Sequence, residues 1–342
     1  MNLTNPEISP ILDVRGITKY FPVGVFNRSR VVHAVEEVSF TVQRGQVVAL
    51  VGESGSGKTT TIRMIARLIP VSRGQIFFTS TCGPSAGKSV DILKSEPRQA
   101  SLEYRRQVQL IFQDPFASLN PVHTIEHHLA RALSLHKKAS GRQEIHDRVC
   151  DLLETVELKP SAELANRYPH QLSGGQRQRV AIARALAVDP ELILADEPIS
   201  MLDVSIRMGV LNLIENLKAE RGISFVYITH DLASARYIGD QIMVMYAGHM
   251  VEGGETEKIM GQPAHPYTRL LLSAVPDPRS GLRTNQAGRA RGDVPSLIDP
   301  PPGCPFAARC AQALEVCRQV MPAQTSLDPD HWVLCHLYPG EG

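Results

Sequence analysis

Aromatic residues are scarce in this chain: one Trp, eight Tyr and nine Phe among 342 residues. So thin a supply argues against a protein that lies on lipid through its own surface. No apolar run approaches the roughly 18 residues that a membrane-spanning helix needs. The first residues, MNLTNPEISPILDV, lack the basic-then-apolar pattern of a secretory signal. An excess of one charge is missing as well. Lys and Arg number 36 against 35 Asp and Glu, a net charge of +1, so electrostatics give no reason to expect nucleic acid as a partner. There is no internal repeat and no heptad run, which excludes a long coiled coil. These absences lead to the expectation of a cytosolic protein that reaches a membrane only through a partner. Its length allows two or three domains, and its 43% hydrophobic and 21% charged content is that of a globular protein.

Residues 11 to about 50 read as short strands. QVVALVG (Gln46 to Gly52) is a buried run ending in glycine, the pattern of a central strand feeding a loop. Thr59 to Leu68 carries Ile62, Ile65, Ala66 and Leu68 at roughly helical spacing. Thr79 to Ser101 is rich in Ser, Gly, Lys and Pro and reads as loops. VQLIFQ (Val108 to Gln113) is another buried strand, and Asp114 to about Arg184 is mostly helical. There Ile145, Val149, Leu152, Leu153 and Val156 mark one amphipathic helix. ELILAD and ISFVYITH are buried strands flanking a helix with Ile206, Val210, Leu213, Ile214 and Leu217 on one face. Strands alternating with helices give a parallel α/β core. Gln241 to Glu255 reads as a hairpin turning at Ala247-Gly248. From Val275 the composition shifts to Gly, Pro and Arg, a linker over 276–300, and the tail follows over 301–342.

Three motifs carry chemistry. Gly52-x4-Gly57-Lys58-Thr59, between a strand and a helix, is a phosphate-binding loop of the Walker A type. Its glycines (Gly52, Gly55, Gly57) and its serines and threonines (Ser54, Ser56, Thr59, Thr60) let backbone N–H groups converge on phosphate oxygens at a helix N-terminus. Lys58 would neutralise the β- and γ-phosphates of ATP, and Thr59 would ligate Mg²⁺. Leu192 to Glu197 matches Walker B: Asp196 at the strand end holds Mg²⁺, and Glu197 is placed to orient the attacking water. Gln113 and His230 each end a strand. The first can reach Mg²⁺ or water, and the second can reach the γ-phosphate. Either, taken alone, is no more than a satisfied polar residue. Asp203 caps the helix beginning near Ser205, reaches across a dimer interface, or does both. The run LSGGQRQR (Leu172 to Arg179) opens a further helix, so Ser173, Gly174, Gly175 and Gln176 form a second helix N-terminus able to bind phosphate.

In this order the motifs resemble ATP-binding cassette (ABC) ATPases, and more narrowly the ATP-binding subunits of oligopeptide/dipeptide importers. Residues 11–275 match the ABC domain, with its helical part at about 114–184. FQDPFASLNP (Phe112 to Pro121), YPHQLSGGQRQR (Tyr168 to Arg179), HPYTRLLLSAVPDP (His265 to Pro278) and PPGCPFAARC (Pro301 to Cys310) carry the narrower likeness. The resemblance implies a RecA-like P-loop NTPase core of α/β class. To this core it adds an N-terminal antiparallel β subdomain, a helical subdomain and a small cysteine-containing C-terminal extension. It implies that Phe21, or its neighbour Tyr20, stacks on adenine, and that Ser173 to Gln176 close over ATP held by a second subunit.

The implied partners are a second ATPase subunit (identical or a paralogue), two transmembrane permeases and an extracytoplasmic solute-binding protein, but no nucleic acid. The implied location is the cytoplasmic face of the cell's inner membrane, and the implied cargo is peptides or related small solutes, oligosaccharides among them. The rival expectations are an exporter ATPase and a soluble ABC ATPase. The family pattern is broken in two places. Ile199 and Met201 stand where Thr and Ala are usual, and GRARGDVPSL lacks the usual preceding apolar strand, which leaves the packing of the tail on the main domain open.

Cysteine is sparse until the end. Cys82 and Cys150 stand alone, whereas Cys304-x5-Cys310-x6-Cys317-x17-Cys335 crowd the tail. Four thiolates in a reducing compartment read as ligands of Zn²⁺ or of a [4Fe–4S] cluster, with His331 and His336 able to substitute. Reduced buried thiols are the plain alternative. Related subunits carry such a set, and that resemblance favours iron–sulfur.

Overall fold

A computed structural model describes residues 9–23, 30–83, 85–96, 100–274 and 295–338. Among them the strands are β1 (Leu12–Pro22), β2 (Val31–Val42), β3 (Val47–Val51), β4 (Arg73–Thr79), β5 (Ser89–Asp91), β6 (Val108–Ile111), β7 (Leu192–Asp196), β8 (Ser224–Thr229), β9 (Gln241–Tyr246), β10 (His249–Glu255), β11 (Gln324–Asp328) and β12 (His331–Leu334). The helices are α1 (Lys58–Ile65), α2 (Ile92–Ser95), α3 (Leu102–Gln107), α4 (Pro115–Ser118), α5 (Ile125–Leu135), α6 (Arg142–Thr155), α7 (Ser161–Ala165), α8 (Gly174–Leu186), α9 (Val204–Arg221), α10 (Leu232–Ile238), α11 (Thr256–Gly261) and α12 (Pro266–Ser273). The chain divides into two compact units that interleave along the sequence. One is built mainly from Phe77–Val226 with Val42–Gln46, and the other from Asp13–Thr41, Val47–Ile76 and the residues from Tyr227 onward.

The first unit holds the parallel pair β6 and β7, in register from Val108 opposite Leu192 to Ile111 opposite Ala195. All five residues of β7 are buried, which is why its sequence shows an unbroken apolar run instead of alternation. The helices α4 to α8 fill the stretch expected to be helical. α6 buries Val149, Leu152 and Leu153, and Val156 directly after it is buried too, so four of the five positions read from its periodicity are covered. α9 buries Val210, Leu213, Ile214 and Leu217 as expected, while Ile206 is half-buried. Long cations tie the helices to carbonyls at helix C-termini: Arg184 donates to Ser118 O at 2.6 Å and Arg179 to Val156 O at 2.7 Å. The end of β4 pairs antiparallel with β5, so the stretch read as loops contains a short strand and the helix α2.

In the second unit β2, β1 and the start of β4 lie side by side in that order. β1 and β2 run for 11 and 12 residues, longer than the short strands expected. The five strands β11-β12-β10-β9-β3 form the other sheet of this unit, with β3 parallel to β9 and the remaining neighbours antiparallel. The β9–β10 hairpin turns at Ala247-Gly248 as read. Their φ values of 45° and 86° are the paired positive angles that a two-residue turn matching strand twist requires. α1 stops at Ile65, short of the expected Leu68. Arg67 takes φ 57°, and Leu68 is exposed.

The tail is packed, which answers the question its sequence left open. β12 pairs with β10 from Glu252 opposite Val333 to Gly254 opposite His331, and Leu297 O accepts from His33 N on β2. A buried carboxylate fastens the join. Glu252, with no exposed surface, accepts from Ala264 N at 2.7 Å and His265 N at 2.9 Å, and lies 2.7 Å from His331 Nε2. The expected linker lies largely outside the described residues. Glu252→Ala should leave those groups without an acceptor and cost about 3 kcal/mol or more of stability in urea denaturation, the penalty for orphaning buried polar partners.

Candidate nucleotide site

The second unit contains the loop read as phosphate-binding. β3 delivers the chain into Gly52 with φ 153°, and Gly57, with φ 105°, immediately precedes α1. Both glycines are required by crowding. A Cβ on Gly52 would lie 2.2 Å from Met245 O, and one on Gly57 would lie 2.5 Å from Ala34 O. The loop is therefore held against two backbone carbonyls and leads into a helix that has no acidic residue in its first turn. Lys58 is buried, and its Nζ donates to Gly52 O at 2.8 Å and Glu53 O at 2.9 Å, closing the loop on itself. Thr59 and Thr60 follow, half-buried, while Ser54 and Gly55 are exposed and Ser56 is buried. His230 is exposed immediately after β8.

Of the two rings considered for adenine, Tyr20 is engaged. Its hydroxyl donates to Glu36 at 2.7 Å and its ring packs 4.4 Å from that of His33. Burial, with the Glu36 carboxylate beside it, pushes the Tyr20 phenol up to about 12. Phe21 presents an exposed ring with Lys19 Nζ 4.9 Å from its centroid.

The first unit contains the two carboxylates read as Walker B. Asp196 is the buried last residue of β7. Glu197 follows with φ 44°, a left-handed backbone that a non-glycine residue adopts at a cost. Gln113 Nε2 donates to Glu197 Oε2 at 3.2 Å, bringing together two residues 84 positions apart. Gln113 lies two residues beyond β6, which ends at Ile111 and not at Gln113 as read. The turn after Glu197 is closed by Ser200 N donating to Glu197 O at 3.2 Å. Ile199 is buried and Met201 exposed, so the two departures from the family pattern leave both carboxylates in place. Asp203 occupies the N-cap position of α9, but its exposed side chain makes no capping bond.

Ser173 caps α8 with its side chain and forms a reciprocal pair with Gln176. Ser173 Oγ accepts from Gln176 N at 3.2 Å, and Gln176 Oε1 accepts from Ser173 N at 2.9 Å. Gly175 is packed so that a Cβ would meet Ile206 at 2.5 Å. Gly174 needs no such explanation, since a Cβ there meets only Leu202 at 3.8 Å.

The tail thiols do not form the expected centre. Cys304, Cys310, Cys317 and Cys335 are all unbridged. Among the described residues no group of three or more His, Cys, Asp or Glu side chains could hold a metal ion. Neither the zinc nor the iron–sulfur expectation therefore finds a formed site. Burial pushes the Cys304 thiol up to about 11, with its three neighbouring thiols adding to the rise, and it raises Cys310 and Cys335 as well. Such groups stay protonated near neutral pH, as buried thiols do. The histidines considered as substitute ligands are occupied: His331 with Glu252, and His336 Nε2 at 2.9 Å from Val320 O.

Comparison with known proteins identifies the family. A family model described as ABC transporter matches residues 35–200, and one for the oligopeptide/dipeptide transporter C-terminal region matches residues 251–317. The oligopeptide transport ATP-binding protein AppF of Bacillus subtilis is 42% identical over 342 residues, covering 99% of this chain and all of that protein. The chain belongs to the ABC transporter ATP-binding family. The dipeptide transport ATP-binding protein DppF of Haemophilus influenzae is also 42% identical, over 92% of this ABC chain and 93% of its own length. Among solved structures, the ABC cassette MJ0796, a dimer in a post-hydrolysis state with ADP and Pi, superposes with a TM-score of 0.58 at 29% identity. The match covers 72% of this chain and 98% of that one. ATP hydrolysis is accordingly the activity of this ABC ATPase, with ATP and Mg²⁺ as its cofactors.

Sequence reading missed what surrounds the loop. Tyr267 and Arg309, both noticed only as parts of family-like segments, touch Glu53 inside it. Gly57→Ala should force the loop away from Ala34 O and weaken MgATP binding at least about tenfold, read with a fluorescent nucleotide, while circular dichroism stays unchanged.

Proposed function

We propose that this ABC ATPase energises the import of peptides or related small solutes through a membrane permease. Its relatives' names and the match of its tail to the oligopeptide/dipeptide transporter C-terminal region carry this reading. The partners are a second ATPase chain, two permeases and an extracytoplasmic solute-binding protein. The chain works peripherally at the cytoplasmic face of the membrane, and no described helix is long and apolar enough to cross it.

Each chain contributes two parts to nucleotide handling. Gly52 to Thr60 bind the phosphates: the backbone N–H groups receive the charge, and Lys58 transfers its Nζ bonds from the loop's own carbonyls to phosphate oxygens. The glycine cradle that any Cβ would fill supports this fit. Phe21 stacks on adenine. Thr59, Gln113 and Asp196 would hold Mg²⁺, which supplies charge neutralisation across the phosphates. Glu197 accepts the proton of the attacking water, oriented by its bond from Gln113, and His230 donates to the γ-phosphate. Ser173 to Gln176 face the nucleotide of the other chain. Their capping box fixes the helix start without using Gly174 and Gly175, whose N–H groups lie in the first turn of α8. Asp203 belongs to the contact between chains.

Two measurements test the proposal. Glu197→Gln should lower ATP turnover by about a hundredfold or more, the usual contribution of a positioned base, while MgATP drives the protein into a closed dimer on size exclusion. Wild-type turnover would remove Glu197 from its role. Purification with its membrane partners should bring down two multi-span permeases, and a peptide-loaded binding protein should stimulate hydrolysis. Stimulation confined to a sugar-loaded or export system would overturn the cargo.

A further inference from the structure

Arg309, in the tail, reaches into the phosphate-binding loop. Its Nη1 donates to Glu53 Oε2 at 2.8 Å and its Nη2 to Glu53 Oε1 at 3.0 Å, a bidentate fork. Nη1 also lies 3.2 Å from the Tyr246 hydroxyl. The guanidinium sits 5.6 Å from the Tyr246 ring centre and 5.8 Å from that of Phe306, and the Arg309 side chain is only 10% exposed. Those rings are themselves fixed. Tyr246 meets Phe306 edge-on at 5.2 Å and Tyr267 at 4.5 Å. Glu53 is thereby held at three points. Its carboxylate is gripped by Arg309, its N–H donates to the Tyr267 hydroxyl at 2.8 Å, and its carbonyl accepts from Lys58 at 2.9 Å.

Glu53 places a negative charge one residue after Gly52, in a loop that must receive a polyphosphate. An unpaired carboxylate there would repel the ligand and compete for Lys58. A bidentate arginine both cancels that charge and fixes its direction, which a lysine does less well. The loop segment that carries Arg309 is shaped by its own backbone: Ala307 N donates to Cys304 O, Cys310 N to Phe306 O, and Cys304 N to Cys317 O.

We propose that Arg309 is a positioning residue of the ATPase site: by neutralising and orienting Glu53, the tail sets the affinity of the phosphate-binding loop for nucleotide. The proposal rests on the reading of Gly52 to Thr60 as the nucleotide loop.

Its test uses the full chain and MgATP, with KM and kcat measured separately. Arg309→Ala should raise KM for MgATP about tenfold, the scale of one lost charge-assisted contact, with kcat within about twofold of wild type. Arg309→Lys should lie between the two. The deciding variant is the double mutant Arg309→Ala with Glu53→Gln. Removing the stranded carboxylate should restore KM to near the wild-type value, which a merely misfolded tail would not allow. An unchanged KM in Arg309→Ala, or a defect that Glu53→Gln fails to relieve, would overturn the proposal. Lys58→Ala separates this from the underlying reading. If it leaves MgATP binding intact, the nucleotide loop itself is misassigned. If it abolishes binding while Arg309→Ala changes nothing, only the role of Arg309 falls.

Discussion

The loop from Gly52 to Gly57 is seated on backbone, and much of the second unit follows from that seat. Met245 O stands where a Cβ of Gly52 would be, Ala34 O where one of Gly57 would be, and Gly248 N donates to Ser56 O at 3.0 Å. Two of these three contacts come from the β9–β10 hairpin. Backbone atoms cannot rotate away as side chains can, so the loop's shape is fixed by the position of a hairpin rather than by side-chain packing. The two positive φ angles at Ala247 and Gly248 set where that hairpin turns, and therefore where the loop rests.

The carboxylate half relies on a different device. Glu197 needs a left-handed backbone directly after a fully buried strand, and the turn through Ser200 holds it there. The cost of that conformation is of order 1 kcal/mol or more, and it persists because the strand before it and the buried Pro198 and Ile199 after it leave the chain little choice. Gln113 then needs only a short reach to meet the carboxylate. The signature helix adds the economy of a capping box: Ser173 and Gln176 satisfy each other's backbone N–H groups, so the helix start is rigid before any ligand arrives.

How much of this was legible in the sequence depended on how local the cause was. β3, β7 and β8 were readable because burial on both faces writes an unbroken apolar run. The helix start at Ser173 was readable because capping is settled within four residues. The hairpin was readable because Ala-Gly sits between two apolar segments. The failures have nonlocal causes. α1 ends at Ile65 because Arg67 turns left-handed, which periodicity through Leu68 conceals. β5 hides in a stretch of loop-like composition because its pairing partner β4, not its own residues, makes it a strand. The cysteine spacing invited a metal centre, yet spacing says nothing about whether thiols converge. Among the described residues they form no group able to hold a metal ion. Arg309 and Glu53 are 256 positions apart, and no pattern along the chain connects them.

That separation also shows why the tail is more than an appendage. One hairpin serves both neighbours. Its Met245 carbonyl and Gly248 N–H hold the nucleotide loop, its Tyr246 flanks Arg309, and its Glu252 anchors His331 and the start of the HPYT segment. Tyr267 from that segment returns to the loop at Glu53 N. His265, pushed down to about 4 by burial, stays neutral and lends Nδ1 as an acceptor to Tyr267 N, so the segment's first turn is fixed without a buried charge. A disturbance of the tail therefore has a short covalent and hydrogen-bonded path to the residue beside Gly52, whereas a disturbance of α12 reaches it through Tyr267. Glu53 is thus anchored from two separate segments of the chain, at its N–H by Tyr267 and at its carboxylate by Arg309.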